Sequence, residues 1–171
     1  MHPLVTVLRL VHIGSGVYWA GSIFLFVTFL EPSLRSLGPE GGKVMIRFFE
    51  RGFLKLIPSV AIVTVLSGLW LLWILSSGFS AGYMRTSIGR GLAAGGAFAI
   101  VALAVGFAVM RPAASGIWAI ARRMPSETDE AVKKGLMAEM DRLRARNLLA
   151  ARAVFALLIG AVAMMAVARY I

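Results

Sequence analysis

Arg9 and His12 lie one helical turn apart inside an apolar run, Leu4 to Leu30, that is long enough to cross a bilayer. At about 1.5 Å per residue, its 27 residues make roughly 40 Å of helix against a hydrocarbon core of about 30 Å. A guanidinium and an imidazole in such a segment are costly unless something satisfies them, so together they mark a candidate site. A neutral imidazole suits iron or another metal, and a guanidinium suits an anion. Arg9, His12, Gly16, Trp19 and Ile23 follow the helical period and are expected on one face. Small residues one and two turns beyond His12 leave room for a flat ring. The chemistry this set proposes is a b-type haem site: His12 as the axial and metal ligand, Gly16 and Trp19 as pocket wall, Arg9 and Arg90 against propionates. Met164, expected at similar depth in the last apolar run, is the candidate second ligand. The plainer readings are a histidine hydrogen-bonded to a serine or a backbone carbonyl, arginines on lipid phosphate, and a methionine filling core space.

Composition limits the alternatives. The chain has 171 residues, 59% of them hydrophobic, and a mean hydropathy of +0.82, which indicates an integral membrane protein. There is no cysteine, so disulfides, thiolate metal sites and iron–sulfur ligation are excluded. Only two histidines occur, His2 and His12, so no multi-histidine metal centre is expected within one chain. The net charge of +10 is read as basic loops meeting anionic lipid, not as a nucleic-acid surface. The first run is too long for a signal-peptide core and has no charged segment before it, so it is expected to remain as an anchor. No phosphate loop, dinucleotide fingerprint, hydrolase elbow or zinc-protease motif occurs. No acid lies deep in an apolar run, which argues against a proton-coupled transporter.

These candidates need elements to hold them. Four spans are expected, at about 4–30, 56–75, 91–110 and 148–167. Glu31-Pro32 and Arg111-Pro112 read as helix ends, because proline disfavours helical geometry in the residue before it. Residues 40–53 alternate charge and aromatics at helical spacing, giving an amphipathic helix at the membrane surface. Pro58 is expected in the first turn of the second span. The glycines of GLAAGGAFAIVALAVG permit close helix approach in the third, and Trp70 and Trp73 read as interfacial aromatics. Ser126-Glu127-Thr128-Asp129 reads as a capping box opening one long helix, about Glu127 to Arg169. Its seam Leu136, Met140, Leu143, Asn147, Ala150, Val154 should pair with residues from Ala113 to Met124, a projecting hairpin over 113–147.

Fourteen of the eighteen Lys and Arg residues fall in the first and third loops, and all eight acids lie on that side too. The positive-inside rule then places those loops in the cytoplasm and both termini outside, in a bacterial-type inner membrane. Arg9, Arg85, Arg90 and Arg169 are left at the other side without a carboxylate side chain.

LVHIGSGVYWAG in the first span and FFERGFLKLIPSVAIVTVLSG opening the second resemble the small four-helix membrane proteins grouped with the CopD domain and the HemJ-type protoporphyrinogen oxidases. The matching positions are His12, Trp19, Glu50, Arg51, Leu54 and Pro58, over about the first seventy residues. The resemblance implies a four-helix membrane fold and a redox or porphyrin-handling role. HemJ-type proteins carry a lysine near the start of the third span, where this chain has Arg90; a guanidinium neither ligates iron nor gives up its proton. The expectation is therefore an all-α integral membrane four-helix bundle with a cytoplasmic helical hairpin, associated with haem through His12. The rival is an accessory or scaffold subunit of a larger inner-membrane complex, or a homo-oligomer, whose basic hairpin docks a partner.

Overall fold

The structure, a computed structural model, describes residues 3–170, and His2 lies outside that range. Six helices account for most of it: α1 (Pro3–Ser36), α2 (Pro39–Glu50), α3 (Phe53–Leu75), α4 (Ala81–Met84), α5 (Ser87–Ser126) and α6 (Glu130–Val167). No strand occurs among the described residues. Four of the helices, α1, α3, α5 and α6, are long and apolar enough to cross a membrane.

The long helices form an up-and-down ring. α1 packs along α3, α3 against α5, α5 along α6, and α6 returns against α1. Their shared core is Trp19 and Ile23 of α1, Ala61 and Val65 of α3, Ala99 and Ala102 of α5, and Val154, Leu158 and Ala161 of α6. Outward faces are apolar too: Val17 is 68% and Leu149 72% exposed, a surface suited to lipid and not to water.

Two helices run past prolines where the sequence suggests ends. α1 passes Glu31-Pro32 and α5 passes Arg111-Pro112, each by a widened five-residue turn, Phe26–Leu30 and Gly106–Met110. There Glu31 N–H donates to Phe26 O and Arg111 N–H to Gly106 O, five residues back. The wider turn relieves the collision between a proline ring and the carbonyl four residues earlier, so the helix bends without stopping. Pro58 also sits differently from the expectation. α3 begins at Phe53, so Pro58 is one turn inside the helix, beyond the free first-turn donors.

Because α5 and α6 have 40 and 38 residues, each is roughly 60 Å long, about twice a hydrocarbon core. Their excess packs together as an arm. Ala113, Ala114 and Ile120 are buried against α6, and Gly116 admits Leu143, whose Cδ1 would lie 2.8 Å from an added Cβ. The seam from Leu136 through Met140, Leu143 and Asn147 runs half-buried into fully buried Ala150 and Val154, with its expected spacing. The cap, however, is not Ser126. Asp129 accepts from Ala131 N–H at 2.8 Å and Val132 N–H at 3.3 Å, so α6 starts at Glu130. Ser126 instead donates to Arg123 O at 2.9 Å and closes the preceding helix.

The amphipathic helix is α2, ending at Glu50 because Gly52 turns left-handed at φ 86° before α3 begins. It lies against the base of the arm, with Phe49 edge-on to Trp118 at 6.2 Å. Gly41 lets it fold back beneath the end of α1, where a Cβ would overlap the Leu34 carbonyl.

Candidate functional site

His12 sits on the inner stripe of α1, at the end of the bundle remote from the arm. That stripe is Leu8, His12, Gly16, Trp19 and Ile23, with Leu8, Trp19 and Ile23 buried and His12 and Gly16 half-buried. Arg9 does not share it: the side chain is exposed, and Leu8 takes the inward place. At about 100° per residue the stripe centres on the direction of His12, and Arg9 stands roughly 60° to one side of it, at the flank.

The ring of His12 lies on α3. Its Nδ1 is 2.9 Å from the Thr64 carbonyl oxygen, and since a carbonyl only accepts, Nδ1 carries the proton. In the neutral ring the remaining lone pair is on Nε2. Gly68 makes this approach possible, because a Cβ there would stand 2.6 Å from His12 Cε1 and 2.9 Å from Nδ1. Gly16 lies one turn deeper, with Thr64 Cγ2 3.5 Å from the position of an added Cβ. It is in ordinary contact with α3.

The hydroxyls around this point are spent as donors within their own helices. Thr64 donates to Val60 O at 2.9 Å, Ser67 to Val63 O at 2.6 Å, and Ser15 to Val11 O at 2.6 Å. Ser67 also reaches Thr64 O at 3.1 Å, so that carbonyl is shared with His12. What these side chains leave free is lone pairs. Thr64, Ser67 and Gly68 belong to the site as well. Ser67 and Gly68 follow Thr64 by three and four residues, a polar and small stripe legible in an otherwise apolar span.

The remaining expected members stand elsewhere. Trp19 is 3% exposed and belongs to the core shared by all four long helices. Arg90 and Met164 line a cavity of about 290 Å³ with Ser87, Gly91 and Ala94, between α5 and α6, to which α1 contributes nothing. A second groove, about 370 Å³, is lined by Ala20, Gly21 and Phe24 of α1 and by Phe155, Leu158, Ile159, Val162 and Ala163 of α6, with no polar side chain among them; His12 is absent from it. Among the described residues no three His, Asp or Glu side chains are placed to hold a metal ion. For a haem, then, the donor set passes one test. His12 has the tautomer of a ligating histidine oriented by a carbonyl, the arrangement that fixes metal-bound imidazoles. Arg90 and Met164 leave that set, because they face a different cavity.

At the arm, the charge is largely solvated. Glu127 accepts from Thr128 and Asp129 N–H and from Arg123; the Asp129 amide above all holds its carboxyl below the usual range. Arg122 lies over the Trp118 ring at 5.6 Å. One polar atom is out of place: Asn147 Oδ1 is buried without a partner.

No family model, no curated protein and no solved structure matches the chain.

Proposed function

We propose that this chain is a haem-associated membrane protein in which the His12 imidazole would hold the iron. The hydrogen bond from Nδ1 to Thr64 O supports this reading, because it leaves Nε2 as the free lone pair and holds the ring in place. The resemblance of the first two spans to CopD-type and HemJ-type proteins supports the same role, redox or porphyrin handling. Bound haem b would supply the electron chemistry; the chain's own contribution is the oriented imidazole, with Gly68 and Gly16 permitting its placement. With His12 as the one described imidazole, a second copy or a partner subunit would supply any further ligand. The test is optical. Purified protein, or protein given haem, should show a Soret band that His12→Ala abolishes. A colourless protein that takes up no haem, and that keeps its function with His12→Ala, would sink it.

A second reading is favoured by the arm. Its long packed seam and its basic exposed residues suit a scaffold subunit that docks a partner. In both readings the arm is cytoplasmic and both termini lie outside, from the distribution of Lys and Arg. A reporter fused at the C-terminus should be active only outside the cytoplasm, and one inserted near Thr128 only inside.

A further inference from the structure

The eight acidic residues all lie at the arm end, in Glu31, Glu40, Glu50 and the stretch from Glu127 to Asp141. The opposite end carries Arg9, Arg85, Arg90 and Arg169, and among the described residues none of these has an ion-pair partner. All four are exposed. Arg90 alone of them also borders a recess, about 290 Å³ and open to the outside, between α5 and α6.

The cavity has a consistent cause. Ser87, Arg90, Gly91 and Ala94 occupy one face of α5, three and four residues apart. Gly91 draws α6 close: an added Cβ would meet Ala168 Cβ at 2.7 Å and its Cα at 3.0 Å. One turn on, α6 is as close again, a Cβ at Gly95 meeting Ala161 O at 3.0 Å, and Met164 borders the recess beside this seam. The result is a mostly apolar recess with a guanidinium and a hydroxyl as its polar groups. The start of α5 is not what confers the charge, because Thr86 already caps it, accepting from Gly89 N–H at 3.0 Å.

We propose that this recess binds a phosphate-bearing anion, with Arg90 as the charged contact, Ser87 as a second hydrogen-bonding group, and Gly91, Ala94 and Met164 receiving the apolar part. Charge complementarity selects the ligand. A guanidinium without a carboxylate partner, beside apolar wall, favours an oxyanion carried on an apolar body. A phosphodiester headgroup on its acyl chains meets both demands, and free phosphate meets only the first. This site is separate from His12 and does not depend on haem binding.

The test uses the full chain in nanodiscs of phosphatidylcholine with and without phosphatidylglycerol, and in detergent with inorganic phosphate. Retention of phosphatidylglycerol is read by native mass spectrometry and protection by the thermal midpoint. Arg90→Gln should lower phosphatidylglycerol retention about ten-fold, the scale of a lost charge-assisted hydrogen bond. Ala94→Leu, which keeps the charge and fills the recess, should lower it as well. Arg85→Gln, outside the lining, should not. Protection by phosphatidylglycerol but not by phosphate assigns a lipid headgroup; protection by phosphate in detergent, lost in Arg90→Gln, assigns a free anion. Equal retention of the two lipids together with no response to phosphate overturns the proposal. So does an Arg90→Gln effect that Arg85→Gln reproduces, or one that Ala94→Leu leaves untouched.

Discussion

Gly68→Ala tests the central contact without touching the histidine. The new methyl would sit 2.6 Å from His12 Cε1 and 2.9 Å from Nδ1, closer than real Cβ contacts. Helix α3 cannot retreat freely, since Thr64 and Ser67 on the same face are buried. The ring must therefore swing away and give up its 2.9 Å hydrogen bond to Thr64 O. Overpacking by one methyl costs about 1–3 kcal/mol. An interhelical hydrogen bond in a membrane is worth about 0.6–1.7 kcal/mol. The sum is roughly 2–5 kcal/mol of bundle stability. Gly16→Ala is the matched control, one turn deeper on the same seam. Its methyl would rest 3.5 Å from Thr64 Cγ2, an ordinary contact, so its effect should stay below about 1 kcal/mol. Stability would be followed by reversible detergent unfolding of the reconstituted protein, for both variants in wild-type and His12→Ala backgrounds. Most of the Gly68→Ala cost should vanish once His12 is alanine. If the cost is the same in both backgrounds, the methyl collides with something other than the ring. The site built here on His12, Thr64 and Gly68 would then fail.

On the other hairpin, Gly91→Ala should destabilise by about 1–3 kcal/mol, because its neighbours are Ala168 Cβ and backbone with no flexible end to yield, whereas Gly96→Ala meets open space and should be near neutral. Detergent unfolding reads both. Asp129→Ala should cost about 1 kcal/mol and expose the amides of Ala131 and Val132 to hydrogen exchange, while Ser126→Ala should leave those amides protected. Asn147→Leu should stabilise the bundle by about 1–3 kcal/mol, since it removes a buried acceptor that has no donor; a loss of stability would show that Oδ1 is satisfied.

Much of this architecture was determined by the sequence alone, for one physical reason: apolar length and period report directly on burial in lipid or protein. Four apolar runs sufficed for the four long helices, and the 4–3–4–3 seam from Leu136 to Val154 sufficed for the arm, because its spacing is local to one helix. His12 was legible as the one imidazole in an apolar span. What the chain order could not disclose was which helix each face meets. Leu8 and not Arg9 turns inward because the α1–α3 crossing sets the seam, and Thr64 and Gly68 enter the site from 52 and 56 residues away only through that crossing. Arg90 and Met164 share depth with His12 on paper, but the pairing of α5 with α6 turns them to a cavity of their own. The prolines mislead for the same reason. Local stereochemistry sets a penalty at Pro32 and Pro112, and whether a helix stops or widens by a turn depends on what packs against it beyond. Side-chain periodicity belongs to one element. Register between elements, and so the composition of any site they share, is decided by packing that only the folded bundle contains.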